Sequence, residues 1–262
     1  MQATSLGHNR TGTVLAPAAL QAMNDAADEL TPVDVIDTHE LDAQRQRFIT
    51  EADAVGSVPP PDSVKGVLKT GLAKLMGGEP TVLMDKLGER LAFERTGTRL
   101  YDALIAKYQA TLNAGNDPLL PVEPLAKTTD PTPESAGEAL ARIRAEELAH
   151  FKLLNKAILE LGGDPTAQTP CADVTAVASM GIMQVLNDPR TTLAQCLNAM
   201  LTAELTDNAG WEVLIRLAED AGQSDLASQF TKALIEESRH VDIIKTWLNS
   251  LLSSPSMAPL AV

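Results

Sequence analysis

The chain has 262 residues, with 35 acidic and 21 basic side chains, a formal charge of −14 and aromatic residues making up only 3%. So acidic a surface, with so few stacking rings, excludes a nucleic-acid binder. No apolar run approaches the ~18–20 residues of a membrane span, and Cys171 and Cys196 make neither a disulfide framework nor a CxxC metal knuckle.

Alanine and leucine, 37 and 36 residues, supply over a quarter of the chain. They are the strongest apolar helix formers, and strand formers are thin, so an all-α protein is predicted. A reduced, cytoplasmic setting is expected from the cysteine usage. Thr13 to Met23 is mildly apolar after Arg10, but Pro17 and the weak basic start do not suit a signal peptide.

Residues 1–80 read as an N-terminal extension. Ala18 to Leu30 and Leu41 to Ala54 are predicted as short helices, and Gly56 to Pro61 as a linker. Asp62 is expected to cap a helix to about Met76, ended by Gly77-Gly78. His8 and His39, both in this stretch, are expected at the surface.

Residues 81–252 have a different character. A long helix is predicted from Thr81 to about Tyr108, with Leu83, Leu87, Leu91, Leu104 and Ile105 on one face. Five prolines between Asn113 and Pro133 predict a long irregular loop. A second long helix runs from about Glu134 to Leu161 and stops at Gly162-Gly163-Asp164-Pro165. After a short helix near Val174 to Leu186, a third long helix spans about Thr191 to Ala221. A fourth runs from Ser224 or Asp225 to about Leu252, and residues 253–262 form a tail. Four amphipathic helices of this length each span ~40 Å and need one another's apolar stripes, which a four-helix bundle provides.

The acidic residues on those stripes are unusual. Leu87, Leu91, Glu94, Thr98, Tyr101 and Ile105 follow one another at helical spacing, so Glu94 shares the face of the core leucines. Glu147 and His150 do the same between Ile143 and Leu154. Glu204 and Asp207 (or Asn208) do so between Leu197 and Trp211, and Glu237 and His240 between Phe230 and Ile244. Each long helix thus carries a carboxylate near the middle of its buried face, and two carry Glu-x-x-His. Four buried carboxylates are prohibitive unless protonated or neutralised, and two divalent cations neutralise them. In each Glu-x-x-His pair the two side chains stand side by side and can share a metal. Carboxylate with imidazole suits iron or manganese better than calcium or structural zinc. Glu146 and Glu236, about 100° away around their helices, are read as surface or as supports of the ligands.

This order of Glu, Glu-x-x-His, Glu, Glu-x-x-His, one per long helix, resembles the ferritin-like di-iron carboxylate superfamily of ferritins, bacterioferritins, rubrerythrins and manganese catalases. The resemblance covers about residues 81–252. It implies a dinuclear centre, two iron ions or alternatively manganese, held by Glu94, Glu147, His150, Glu204, Glu237 and His240. Tyr101, seven residues after Glu94, looks rubrerythrin-like and is implied as a hydrogen-bond or redox partner; the other reading is a core tyrosine. Asp207, three after Glu204, is implied as an extra carboxylate ligand or the orienter of a histidine N–H; the other reading is a solvent-facing side chain. Thr98 and Asn208 are weaker candidates near the ligands.

The chain departs from the family in lacking a cysteine-paired rubredoxin domain. Its Glu94–Glu147 separation exceeds Glu204–Glu237 by 20 residues, the Pro-rich loop. That loop and the extension argue against a storage cage. The leading expectation is a di-metal oxidoreductase acting on O₂ or peroxide, with an electron donor the sequence does not name and with a homo-oligomer such as a dimer. The alternatives are a non-catalytic iron-binding or storage protein and a helical interaction protein with a degenerate site.

Overall fold

A computed structural model describes residues 7–9, 12–33, 37–61, 80–115, 117–123 and 132–253. The helix expected from Asp62 to Met76, its Gly77-Gly78 stop, and the tail after residue 253 lie outside these. The chain divides into two units, Thr4–Ala54 and Val55–Ala258.

In the first unit, α1 (Pro17–Leu30) follows a short 3₁₀ turn, Thr13–Leu15, and α2 spans His39–Glu51. Helix α2 begins two residues before its expected start because the Asp37 carboxylate accepts the His39 N–H at 2.9 Å. Neither helix has a buried residue, and His8 and His39 are exposed.

The second unit holds α3 (Pro80–Asn113), α4 (Ala136–Leu161), α5 (Pro170–Asn187), α6 (Leu193–Asp220) and α7 (Ser224–Ser253). The all-α expectation is met, and each long helix lies where the apolar spacing put it. Helix α3 runs five residues past Tyr108, through residues with no breaker before Gly115. Helix α4 starts at Ala136 rather than Glu134, because Ser135 and Glu138 form a reciprocal capping box. Glu134 instead pairs its backbone with Val122, N–H to C=O both ways at 2.8 and 2.9 Å. Gly162 ends α4 in the left-handed conformation, φ 84°. Helix α5 is longer than expected at its start. Thr169 caps it, and Pro170 stands where a missing N–H costs nothing. Thr192 and Gln195 form a second capping box on α6.

Helix α6 packs chiefly on α7 and α3 on α4, while α3 also meets α6 and α4 meets α7, closing a ring of four. Helix α5 crosses from α4 to α6 and lies against α3 and α6. Two apolar clusters fill the ring. One joins Phe93–Tyr108 of α3 to the start of α4, the start of α6 and the end of α7, with Trp247 in it. The other joins Leu83–Leu91 to the end of α4, the end of α6 and the start of α7, with Trp211 and Phe230. Helices α3 and α7 therefore run one way and α4 and α6 the other. Each fully buried leucine contributes about 1.5–3 kcal/mol. The helix segments between the two clusters are those that carry Glu94, Glu147, Glu204 and Glu237.

Candidate metal centre

Eight of the side chains singled out in the sequence meet in that middle layer. Helix α3 brings Glu94 and Tyr101, α4 brings Glu147 and His150, α6 brings Glu204 and Asp207, and α7 brings Glu237 and His240. None is more than 3% exposed. The two imidazoles point Nδ1 inward. His150 Nδ1 is 2.7 Å from Glu237 Oε1 and 3.7 Å from Glu94 Oε2. His240 Nδ1 is 3.2 Å from Glu237 Oε2, 3.5 Å from Glu147 Oε1 and 3.7 Å from Glu204 Oε2. Ligand-type atoms fall into three overlapping groups, each within 4.8 Å: Glu147, Glu204, Glu237 and His240; Glu94, His150 and Glu237; and Glu94, Glu147, Asp207 and Glu237. Glu237 belongs to all three, and Glu94 and Glu147 to two each.

The outward nitrogens are held crosswise. His150 Nε2 lies 2.8 Å from Glu236 Oε2 of α7, and His240 Nε2 lies 2.8 Å from Glu146 Oε2 of α4. An ionised carboxylate only accepts, so Nε2 donates in both pairs. The residue before each Glu-x-x-His motif thus fixes the histidine of the other motif. Glu146 is itself gripped by Arg142 Nη1 at 2.7 Å, and Arg142 Nε by Glu134 at 3.1 Å.

Tyr101 donates its hydroxyl to Glu204 Oε1 at 2.5 Å. Asp207 does not reach an imidazole N–H. It lies 2.7 Å from Arg90 Nη1, so the histidine-orienting role belongs to Glu146 and Glu236. Arg90 was not singled out in the sequence. It is 2% exposed, and its guanidinium stacks on Phe93 at 4.1 Å. Its position one turn before Glu94, on the apolar stripe, was the available signal. Thr98 donates to the Glu94 backbone carbonyl, and Asn208 to Ser238, so neither points into the carboxylate cluster.

The electrostatics follow from burial. Burial first, then repulsion from Asp207, Glu147 and Glu237, lifts Glu94 well above the usual carboxylate range. Burial and Glu147 do the same to Glu204, and burial and Glu237 raise Glu147. Burial also raises Asp207, to about 8, against the pull of Arg90. Glu237 is the exception: burial would raise it, but His240 and His150 hold it at about 2. Burial would depress His150, yet Glu237 and Glu236 raise it to about 9. Without metal, the cluster is stable by keeping protons.

The donor set fits divalent cations. Both oxygens of Glu94, Glu147 Oε2 and Glu204 Oε2 are buried without a hydrogen-bond partner. Such atoms are costly unless something takes their lone pairs. Fully ionised, five carboxylates and the Arg90 guanidinium leave a charge of about −4, which two divalent ions cancel. Carboxylate with imidazole is the mix that suits iron or manganese.

Helices that each turn an acidic residue inward to one polar layer make a bundle with a buried Glu/His cluster compatible with metal. A family model of the ferritin-like domain matches residues 128–253, and this part of the chain is ferritin-like. The match takes in α4 to α7; α3, which supplies Glu94, precedes it and completes the ring. Comparison with curated proteins and with solved structures gives no match. No helix among the described residues is long and apolar enough to cross a membrane.

Proposed function

We propose that this bundle binds two iron ions, with manganese as the alternative, and acts as an oxidoreductase on O₂ or peroxide. The observation that carries the reading is the set of buried, unpartnered carboxylate oxygens of Glu94, Glu147 and Glu204 in one cluster with His150, Glu237 and His240. Glu94, Glu147 and His150 would hold one metal, and Glu204, Glu237 and His240 the other, with Glu147 and Glu237 shared. Bound iron supplies one- and two-electron chemistry toward a small oxidant.

The chain's own residues supply the rest. Glu146 and Glu236 keep each Nε2 protonated and each Nδ1 turned inward. Tyr101 holds a hydrogen at Glu204 Oε1, within reach of an oxidant at the centre. The two apolar clusters flank the polar layer and keep bulk water away from it. We assign the electron donor to an external reductant, the setting to the cytoplasm, where Cys171 and Cys196 stay reduced, and the assembly to a homodimer.

The test is metal analysis of the purified chain, followed by mixing the anaerobic ferrous protein with O₂ or peroxide. Two irons per chain and rapid oxidation are expected. Glu147→Ala with Glu237→Ala should abolish metal binding and lower metal-free stability, because His150 and His240 lose the Glu237 carboxylate they pair with. Full metal content in that double variant would overturn the ligand assignment. Iron in the tens to hundreds per chain would point to storage instead.

A further inference from the structure

We propose that the two metal positions are unequal: the position built on His150 loads last and exchanges its metal, and the half-exposed Glu236 is its positioning residue. The inference rests on the dinuclear reading above and concerns how these particular side chains are held.

His240 stands at the end of a braced chain. Its Nε2 donates to Glu146, Glu146 is fixed by Arg142, and Arg142 by Glu134, whose backbone is tied to Val122. The side chains of Glu146, Arg142 and Glu134 are 22, 24 and 24% exposed. His150 has a looser support. Its Nε2 donates to Glu236, whose side chain is 48% exposed and pairs with no lysine or arginine among the described residues. A carboxylate in solvent is free to turn away and to be screened by salt.

The inward donors are unequal in the same sense. On the His240 side Tyr101 already fixes Glu204. On the His150 side neither oxygen of Glu94 has a hydrogen-bond partner. The other nearby carboxylate, Asp207, is engaged by Arg90. Ligands already fixed in place lose less freedom on binding, so the braced side binds more tightly. Loss of a residue that holds a metal-bound histidine typically costs 10–100-fold in affinity.

The experiment titrates the metal-free full-length protein with Co²⁺ alone, read by visible absorption, and then follows cobalt loss to a chelator. Wild type should bind two ions in steps separated by at least about tenfold, and release one of them faster. Glu236→Ala, an exposed helical position where alanine is well tolerated, should weaken the later step about tenfold and leave the earlier one unchanged. Glu146→Ala should weaken the earlier step. Metal-free melting of Glu236→Ala should stay close to wild type, which a general structural defect would not allow; if Glu146→Ala, which strips His240 and Arg142 of their partner, fails to fold, Glu236→Ala decides alone. Two equal sites, or equal weakening of both steps by Glu236→Ala, would overturn the inference and leave the dinuclear reading standing. Absence of any cobalt binding would overturn both.

Discussion

Gly97 of α3 lies directly against the Glu147 carboxylate of α4, so closely that a β-carbon at position 97 would overlap Glu147 Oε2. Glycine in mid-helix costs about 1 kcal/mol relative to alanine. Here it makes room for the Glu147 carboxylate in the buried cluster. Gly97→Ala should therefore keep or slightly raise the metal-free helix content while lowering metal content from two ions toward one or none. Circular dichroism with elemental analysis reads both. Full metal content in the variant would show that Glu147 needs no such room.

Arg90 and Asp207 form a buried pair whose fit also depends on a missing side chain. A β-carbon at Gly210 would overlap the guanidinium. Removing one partner of a buried ion pair leaves the other uncompensated, at a cost of about 3–5 kcal/mol. Arg90→Met should lose that much stability in urea unfolding of the metal-free protein above about pH 8, where Asp207 is ionised. Combining it with Asp207→Leu should recover most of the loss, because the orphaned charge is gone.

The metal-free protein should lose stability as pH rises from mildly acidic to alkaline. Asp207 keeps its proton up to about 8, whereas the unfolded chain releases it near 4. His150 keeps its proton up to about 9, against about 6.5 when unfolded. In both windows the folded state binds more protons, so stability falls with rising pH. Glu237 acts in the opposite sense: its contribution is present above the ordinary carboxylate value and is lost as pH falls toward about 2. Metal binding must displace the retained protons, so affinity should rise with pH. Thermal melts at about pH 6 and pH 9 should show the metal-free Tm falling while the metal-induced increment grows.

Tyr101→Phe removes the hydroxyl hydrogen held at Glu204 Oε1 and little else, since the ring is fully buried among apolar side chains. Two metals per chain should remain. Oxidation of the ferrous protein by peroxide should slow by about tenfold or more if the hydroxyl supplies a proton or electron. Stopped-flow absorption decides, and an unchanged rate would confine Tyr101 to packing.

The elements of the bundle were legible because apolar spacing and local capping signals agree. The Leu87–Leu91–Glu94 stripe and the stops at Gly162 and Gly222 needed no long-range information. The central residues were legible for the same reason, as carboxylates on faces that should be apolar. What escaped depends on how helices are rotated against one another. Arg90, on the apolar stripe four residues before Glu94, has no visible partner until α6 brings Asp207 to it. The exchange of Glu146 and Glu236 between the two histidines requires knowing that α4 and α7 are neighbours running oppositely. Glu134 looks like a helix start in isolation, but Ser135 takes the cap and leaves Glu134 to Val122 and Arg142.

The indole of Trp211 meets the His150 ring edge-on, 5.4 Å between centroids. Trp247, the other tryptophan, sits in the opposite apolar cluster with its N–H on the Leu120 carbonyl. The molecule therefore carries its own optical gauge. An open-shell ion beside His150 should quench the emission of Trp211 and spare that of Trp247. Filling of that one position could then be followed in ordinary ultraviolet light, with Trp211→Phe blind to it and Trp247→Phe reporting it undiluted.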